Sequence, residues 1–125
     1  MFMMKVFSTS NAPAAIGPYS QGYEAGTMIF TSGQIPVDPA TGQIPEGIGA
    51  QTAQSCKNVG AILEAAGSGY DRVVKTTCFL ANMEDFAAFN AVYEQYFCSR
   101  PARSCVAAKA LPKGVLCEIE AIAVK

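Results

Sequence analysis

Histidine and tryptophan are absent from this 125-residue sequence, and only 15% of it is charged. Without imidazole, a nucleophilic triad built on a His base is excluded. A zinc site would have to be gathered from scattered thiols and carboxylates, so no metal is expected. No stretch approaches the roughly eighteen apolar residues of a membrane span, and no membrane association is expected. The opening MFMMKVF is apolar but gives way to polar STSN, too short a run for a secretory signal. Neither a GxxxxGK phosphate loop nor an EF-hand pattern occurs. The formal net charge is −1 and the nine basic residues form no block. A phosphate backbone is gripped by a clustered positive field, so nucleic acid is not an expected partner.

What the chain does contain is apolar material. Half of it is hydrophobic, and its length suits a single domain spanning residues 1–125. A chain of this size buries about two-thirds of its unfolded surface, enough for a real core. Five cysteines, Cys56, Cys78, Cys98, Cys105 and Cys117, are odd in number and contain no CxxC pair. That usage suits free thiols in a reducing, cytoplasmic setting, most of them acting as small buried hydrophobes.

The chain order reads as short strands, a helix, a strand, a second helix and a terminal hairpin. NAPAAIGPYSQG (11–22) is loop-like, TMIFTSGQI (27–35) strand-like, and PVDPATGQIPEG a long turn region. From about residue 50 to 66, Ala53, Cys56, Val59 or Gly60, Leu63 and Ala66 recur at helical spacing. Gln51, Gln54, Lys57 and Glu64 are left for water, and Gly67 is the stop signal. In RVVKTTCFLA (72–81), strict alternation places Val74, Thr76, Cys78 and Leu80 on one face, and Val73, Lys75, Thr77 and Phe79 on the other. Asn82 can cap the next helix, with Asp85 placed to complete a capping box. Phe86, Phe89, Tyr93 and Phe97 form an aromatic stripe expected to pack on the sheet, with Asn90 beside it in need of a hydrogen-bond partner. The tail predicts strands at about 103–110 and 115–124, turned at LPKG and paired with each other. Two helices on one face of a mostly β layer is the economical architecture, which leaves the other face to be covered.

The tail also carries the chemistry. Arg103 and Cys105 share one side of their strand, Glu118 and Glu120 one side of theirs. A planar guanidinium suits an immobile carboxylate, and a nearby glutamate can hold or deprotonate a water molecule. The residues leave open a plain ion pair between Arg103 and either glutamate. Tyr19 and Ser32 could each hydrogen-bond a polar ligand or serve structure alone. Cys105 lacks a histidine base, which favours backbone contacts there over covalent chemistry.

Four blocks in order, NAPAAIGPYSQG, TSGQIPVDPATG, QTAQSCKNVGAILEAAG and PARSCVAAKALPKGVLCEIEAIAV, make the sequence resemble the RidA family of enamine/imine deaminases, also called the YjgF family. The resemblance covers nearly the whole chain. It implies an α+β, chorismate mutase-like fold, a mixed β-sheet packed on one face by two helices, assembled as a homotrimer with ligand clefts between subunits. It implies cofactor-independent hydrolysis of small 2-imino or 2-enamino acids, such as 2-aminoacrylate, to 2-keto acids and ammonia. By the same resemblance Arg103 clamps the substrate carboxylate and Glu118 positions or activates the attacking water. The Cys105 backbone orients substrate, while Tyr19, Ser32 and Asn90 line the pocket, and Glu120 supports structure. Two rival readings are a regulatory module that binds small carboxylates without turnover, and the ribonuclease or translation inhibitor that relatives have been described as. The chain departs from the family pattern in the short Cys98–Arg100 connection ahead of PARS, in the extra cation Arg100, and at Ala107. These departures fall on the cleft rather than on the fold.

Overall fold

Short β-rich segments and two helical ones assemble into one mixed six-stranded sheet in this computed structural model, which describes residues 3–125. Met1 and Phe2, from the apolar opening, lie outside the described residues. The elements are β1 (Met4–Phe7), β2 (Gly22–Ala25), β3 (Met28–Thr31), α1 (Ile48–Ala65), β4 (Val73–Leu80), α2 (Phe86–Tyr93), β5 (Ala102–Ala107) and β6 (Cys117–Val124). Across the sheet the order is β1-β2-β3-β6-β4-β5, antiparallel throughout except for the parallel β4–β5 pair. Both helices pack on the same side, α1 over β3 and β6 and α2 against α1. As expected for an α+β layer, the core lies between them and the sheet, around Ile29, Leu63, Leu80, Phe89, Phe97 and Ile119. Burying each of these large side chains contributes about 1.5–3 kcal/mol against the entropy of ordering it.

Helix α1 ends as its sequence dictates. Gly67 adopts φ 78°, its N–H bonds to Glu64 O, and the Ser68 N–H bonds to Leu63 O. That paired arrangement satisfies the last carbonyls and needs a residue at ease in left-handed backbone. Gly60 is small for a different reason: a Cβ there would strike the ring of Tyr70, whose hydroxyl donates to Cys56 O at 2.7 Å. Gln51 does not face water. It is buried, donating to Pro45 O at 3.0 Å and accepting from Leu116 N–H at 2.8 Å, so it ties the helix to the loop before it and to the segment leading into β6. Asn82 does cap: its Oδ1 accepts from Glu84 N–H at 2.9 Å, starting a single 3-10 turn (Met83–Asp85) that runs into α2. Asp85 returns no side-chain bond to Asn82, so the cap is single rather than a box.

Two strand expectations are corrected. A bulge at Val74 puts one extra residue into β4, because Val73 pairs with Ala123 while Lys75 pairs with Ile122. Val73 therefore joins Thr76, Cys78 and Leu80 on the buried face, and Val74 is exposed. The tail is not a hairpin either: β5 and β6 flank β4 on opposite sides and never pair with each other. Helix α2 carries the chain over the sheet between β4 and β5, and such a crossover delivers a parallel strand. β6, alternately buried along its whole length, then takes the central place between β3 and β4.

The side of the sheet away from the helices is bare. Across it runs one row, Val6, Tyr23, Phe30, Ile122, Lys75 and Ala102, each residue paired to the next in register. Two shorter rows, Glu120–Thr77–Ser104 and Glu118–Phe79–Val106, lie beside it.

Candidate active site

The pairing of β5 with β4 decides where Arg103 points. It is in register with Thr76, on the helix side of the sheet, and so reaches α2. There Nη1 donates to Asn90 Oδ1 at 2.7 Å, which supplies the partner that Asn90 requires. The guanidinium carbon sits 4.8 Å from the Tyr93 ring centre and 5.5 Å from that of Phe86. These two members of the aromatic stripe thus floor the cation rather than only filling the core, and Phe86 stays 37% exposed to do so. Tyr93 is itself fixed by a 2.6 Å hydrogen bond to Thr76 Oγ1, and burial pushes its hydroxyl pKa up to about 12. No carboxylate lies within ion-pair distance of Arg103 among the described residues, where the pair found is Lys125–Glu24 at 3.2 Å. An arginine with one N–H engaged and a flat aromatic floor keeps most of its fork for a ligand. It opens into a cavity of about 730 Å³ lined by Asn90, Tyr93, Phe97, Arg100, Pro101 and Arg103 among others.

Glu118 lies elsewhere. Its register partner is Phe79, on the bare face, so sheet and core separate it from Arg103 within one chain. The simple Arg103–Glu118 or Arg103–Glu120 ion pair is thereby removed. Phe79 adjoins Glu118 along its row, with Val106 beyond it, and burial, with a smaller push from Glu120, raises the Glu118 pKa above the ordinary carboxylate range. Gly33 packs directly on the Glu118 carboxyl group: a Cβ at residue 33 would fall on it. A second cavity, of about 250 Å³, begins at Gly33 and Tyr19 and is walled by Gln34, Ile35 and Val37.

The sequence-derived candidates therefore fall into two groups. Asn90, Arg103 and Cys105 belong to the helix side of the β5 edge, while Glu118 and Tyr19 belong to the other group with Gly33. Tyr19 is 50% exposed, its hydroxyl accepting a long 3.4 Å bond from Ile16 N–H. Ser32 Oγ is engaged inside the fold, donating to Gln21 O at 3.2 Å and accepting from Gln34 Nε2 at 3.1 Å. Gln21 is a buried brace that spacing did not reveal: its amide bonds Thr9, Ala12 and Pro13 and so holds the loop leading to Tyr19. Cys105 is half-buried, and burial raises its thiol pKa despite the opposing effect of Arg103, which disfavours a thiolate nucleophile. Cys56, Cys78 and Cys117 are core residues with thiols raised by burial, the last two to about 12 and about 11. No group of metal-ligating side chains occurs among the described residues.

The α+β layer thus carries on one side of the sheet an arginine with no ion-pair partner among the described residues, and on the other a partly buried carboxylate. Residues 9–125 match the family described as Endoribonuclease L-PSP. The chain belongs to that family, the RidA/YjgF group of reactive-intermediate deaminases. It is 55% identical over 127 residues to the 2-iminobutanoate/2-iminopropanoate deaminase of Salmonella typhimurium, covering 98% of this chain and 99% of that protein. Among solved structures it is similar to the YjgF gene product of Escherichia coli, with 54% identity, a TM-score of 0.93, and 97% and 98% of the two chains covered. Escherichia coli TdcF with bound serine is also similar, with 50% identity, a TM-score of 0.93, and 97% and 98% of the two chains covered.

Proposed function

We propose that this chain hydrolyses reactive 2-enamine and 2-imine acids, such as 2-aminoacrylate, to 2-keto acids and ammonia. It does so as a homotrimer whose clefts join the Arg103 half-site of one subunit to the Glu118 half-site of its neighbour. The observation that carries this reading is the state of Arg103: oriented by Asn90 and two rings, yet claimed by no carboxylate among the described residues. The trimer and its shared clefts come from the resemblance to the RidA family. Their physical support is the bare apolar sheet face and the separation of the two half-sites within a chain.

In such a cleft the substrate carboxylate takes the open part of the Arg103 fork. An enamine first moves a proton onto C3 to become the imine, whose C2 is electrophilic. Glu118 removes a proton from water as the water oxygen bonds to C2 and the C=N electrons pass to nitrogen. Glu118 returns that proton to nitrogen, the proton of the new hydroxyl passes to the same nitrogen, and the C2–N bond breaks as the carbonyl forms and ammonia leaves. Holding water and imine together supplies most of the acceleration, because the substrate is already activated. The raised pKa of Glu118 makes it a stronger base than an exposed glutamate.

The five cysteines, none of them paired, support a cytoplasmic setting. A nuclease reading has less support, since the sequence has no histidine and its nine basic residues are dispersed. The test is to generate 2-aminoacrylate freshly and follow keto acid and ammonia together. Release should be faster with wild type than without protein, and Arg103→Ala should remove that gain. Equal release by wild type and variant, or saturable binding without turnover, would count against the reading.

A further inference from the structure

A second arginine, Arg100, borders the cavity that holds Arg103. Arg100 lines the same space of about 730 Å³, beyond Pro101, where the short Cys98–Arg100 connection enters β5. Its backbone is in the left-handed region, at φ 52°, which residues bearing a Cβ rarely adopt. A hydrogen bond from Arg100 N–H to Phe97 O, 3.1 Å, closes that turn. Three residues of chain span at most about 10 Å, so two arginines bordering one cavity are close enough for their long side chains to reach opposite ends of one small molecule. Neither arginine has a carboxylate within ion-pair distance among the described residues. Glu94 is the carboxylate that also lines the cavity, which leaves two cations facing one anion there.

A 2-imino acid with one carboxylate uses only Arg103. We infer that Arg100 receives a second, distal carboxylate, so that the cleft takes 2-imino dicarboxylates, the imines of acidic amino acids. This rests on the deaminase reading above and names its substrate class. The chemistry is unchanged: the water oxygen bonds to C2, the C2–N bond breaks, ammonia leaves, and the distal carboxylate does not react. No oxidant or reductant is consumed.

The experiment compares 2-iminosuccinate with 2-iminopropanoate, each generated in place by an amino-acid oxidase from its parent amino acid, and reads the ratio of their kcat/KM values. Arg100→Ala should lower that ratio about tenfold, the loss of about 1.4 kcal/mol in favour of the dicarboxylate. The loss should appear in KM for 2-iminosuccinate, and Arg100→Lys, which keeps the charge, should restore most of it. Arg100→Glu should depress the ratio further. A ratio unmoved by all three substitutions, with 2-iminopropanoate still hydrolysed, overturns the inference and leaves the deaminase reading intact. A wild type that hydrolyses neither imine overturns both.

Discussion

At the scale of single residues, Arg103 and Glu118 are held in contrasting ways. Arg103 is oriented by a neutral amide and two rings, so its charge is positioned without being neutralised. Removing it should lower kcat/KM by about a hundredfold or more, the scale of truncating a hydrogen-bonded charge pair. Arg103→Lys should recover only part, since an ammonium keeps the charge but loses the planar fork and the stacking. Steady-state kinetics on both variants tests this, and full recovery with lysine would show that geometry is irrelevant. Glu118 is held by desolvation, which keeps its pKa above the ordinary carboxylate range. With substrate on Arg103, the acid limb of the kcat–pH profile reports this group. Activity should fall as pH drops through that raised value, because a protonated Glu118 cannot accept the proton of water. Glu118→Gln should be slow and lack the limb. The sign for stability is opposite: a folded-state value above the unfolded one means the ionised group subtracts stability at neutral pH, and the penalty fades on acidification through the folded value. Glu118→Gln should therefore raise Tm at pH 7, with a gain that shrinks at acidic pH.

At the scale of elements, the geometry of the site depends on close approaches. The β3–loop segment reaches the Glu118 carboxyl group only because residue 33 is glycine. Gly33→Ala should lower kcat more than it raises KM, with an unchanged circular dichroism spectrum; unaltered kinetics would remove Gly33 from the site. Gly67→Ala should instead cost about 1 kcal/mol of stability, through left-handed backbone alone, and leave kinetics untouched. Much of this was legible in the sequence. Both helices, the Gly67 stop, the Asn82 cap and the β-rich segments follow from spacing and local chemistry. Strand neighbours did not, because LPKG is a genuine turn, yet it connects strands that β4 separates. The Val74 bulge was hidden for a related reason: alternation reads faces correctly only while no extra residue intervenes. The candidate residues could be named from their motifs. Their division between opposite faces of the sheet could not, since it depends on that strand order.

At the scale of the whole molecule, a bare apolar face and two half-sites pose the same question of what completes them. Phe30 and Tyr23 lie at the centre of the uncovered row, and both are more than a third exposed in a single chain. If the proposed trimer forms through this face, Phe30→Glu should dissociate it in sedimentation while leaving helical circular dichroism intact, and activity should vanish with it. Retained activity in the monomer would place the whole site within one chain. The most direct measurement is subunit complementation. Arg103→Ala and Glu118→Gln chains, each impaired alone, are co-expressed and purified together as the proposed trimers, without sorting by subunit composition. A cleft that takes Arg103 from one subunit and Glu118 from the next predicts that about a quarter of the wild-type activity returns in a random one-to-one mixture. Co-expressed trimers no more active than their parents would contradict the shared cleft.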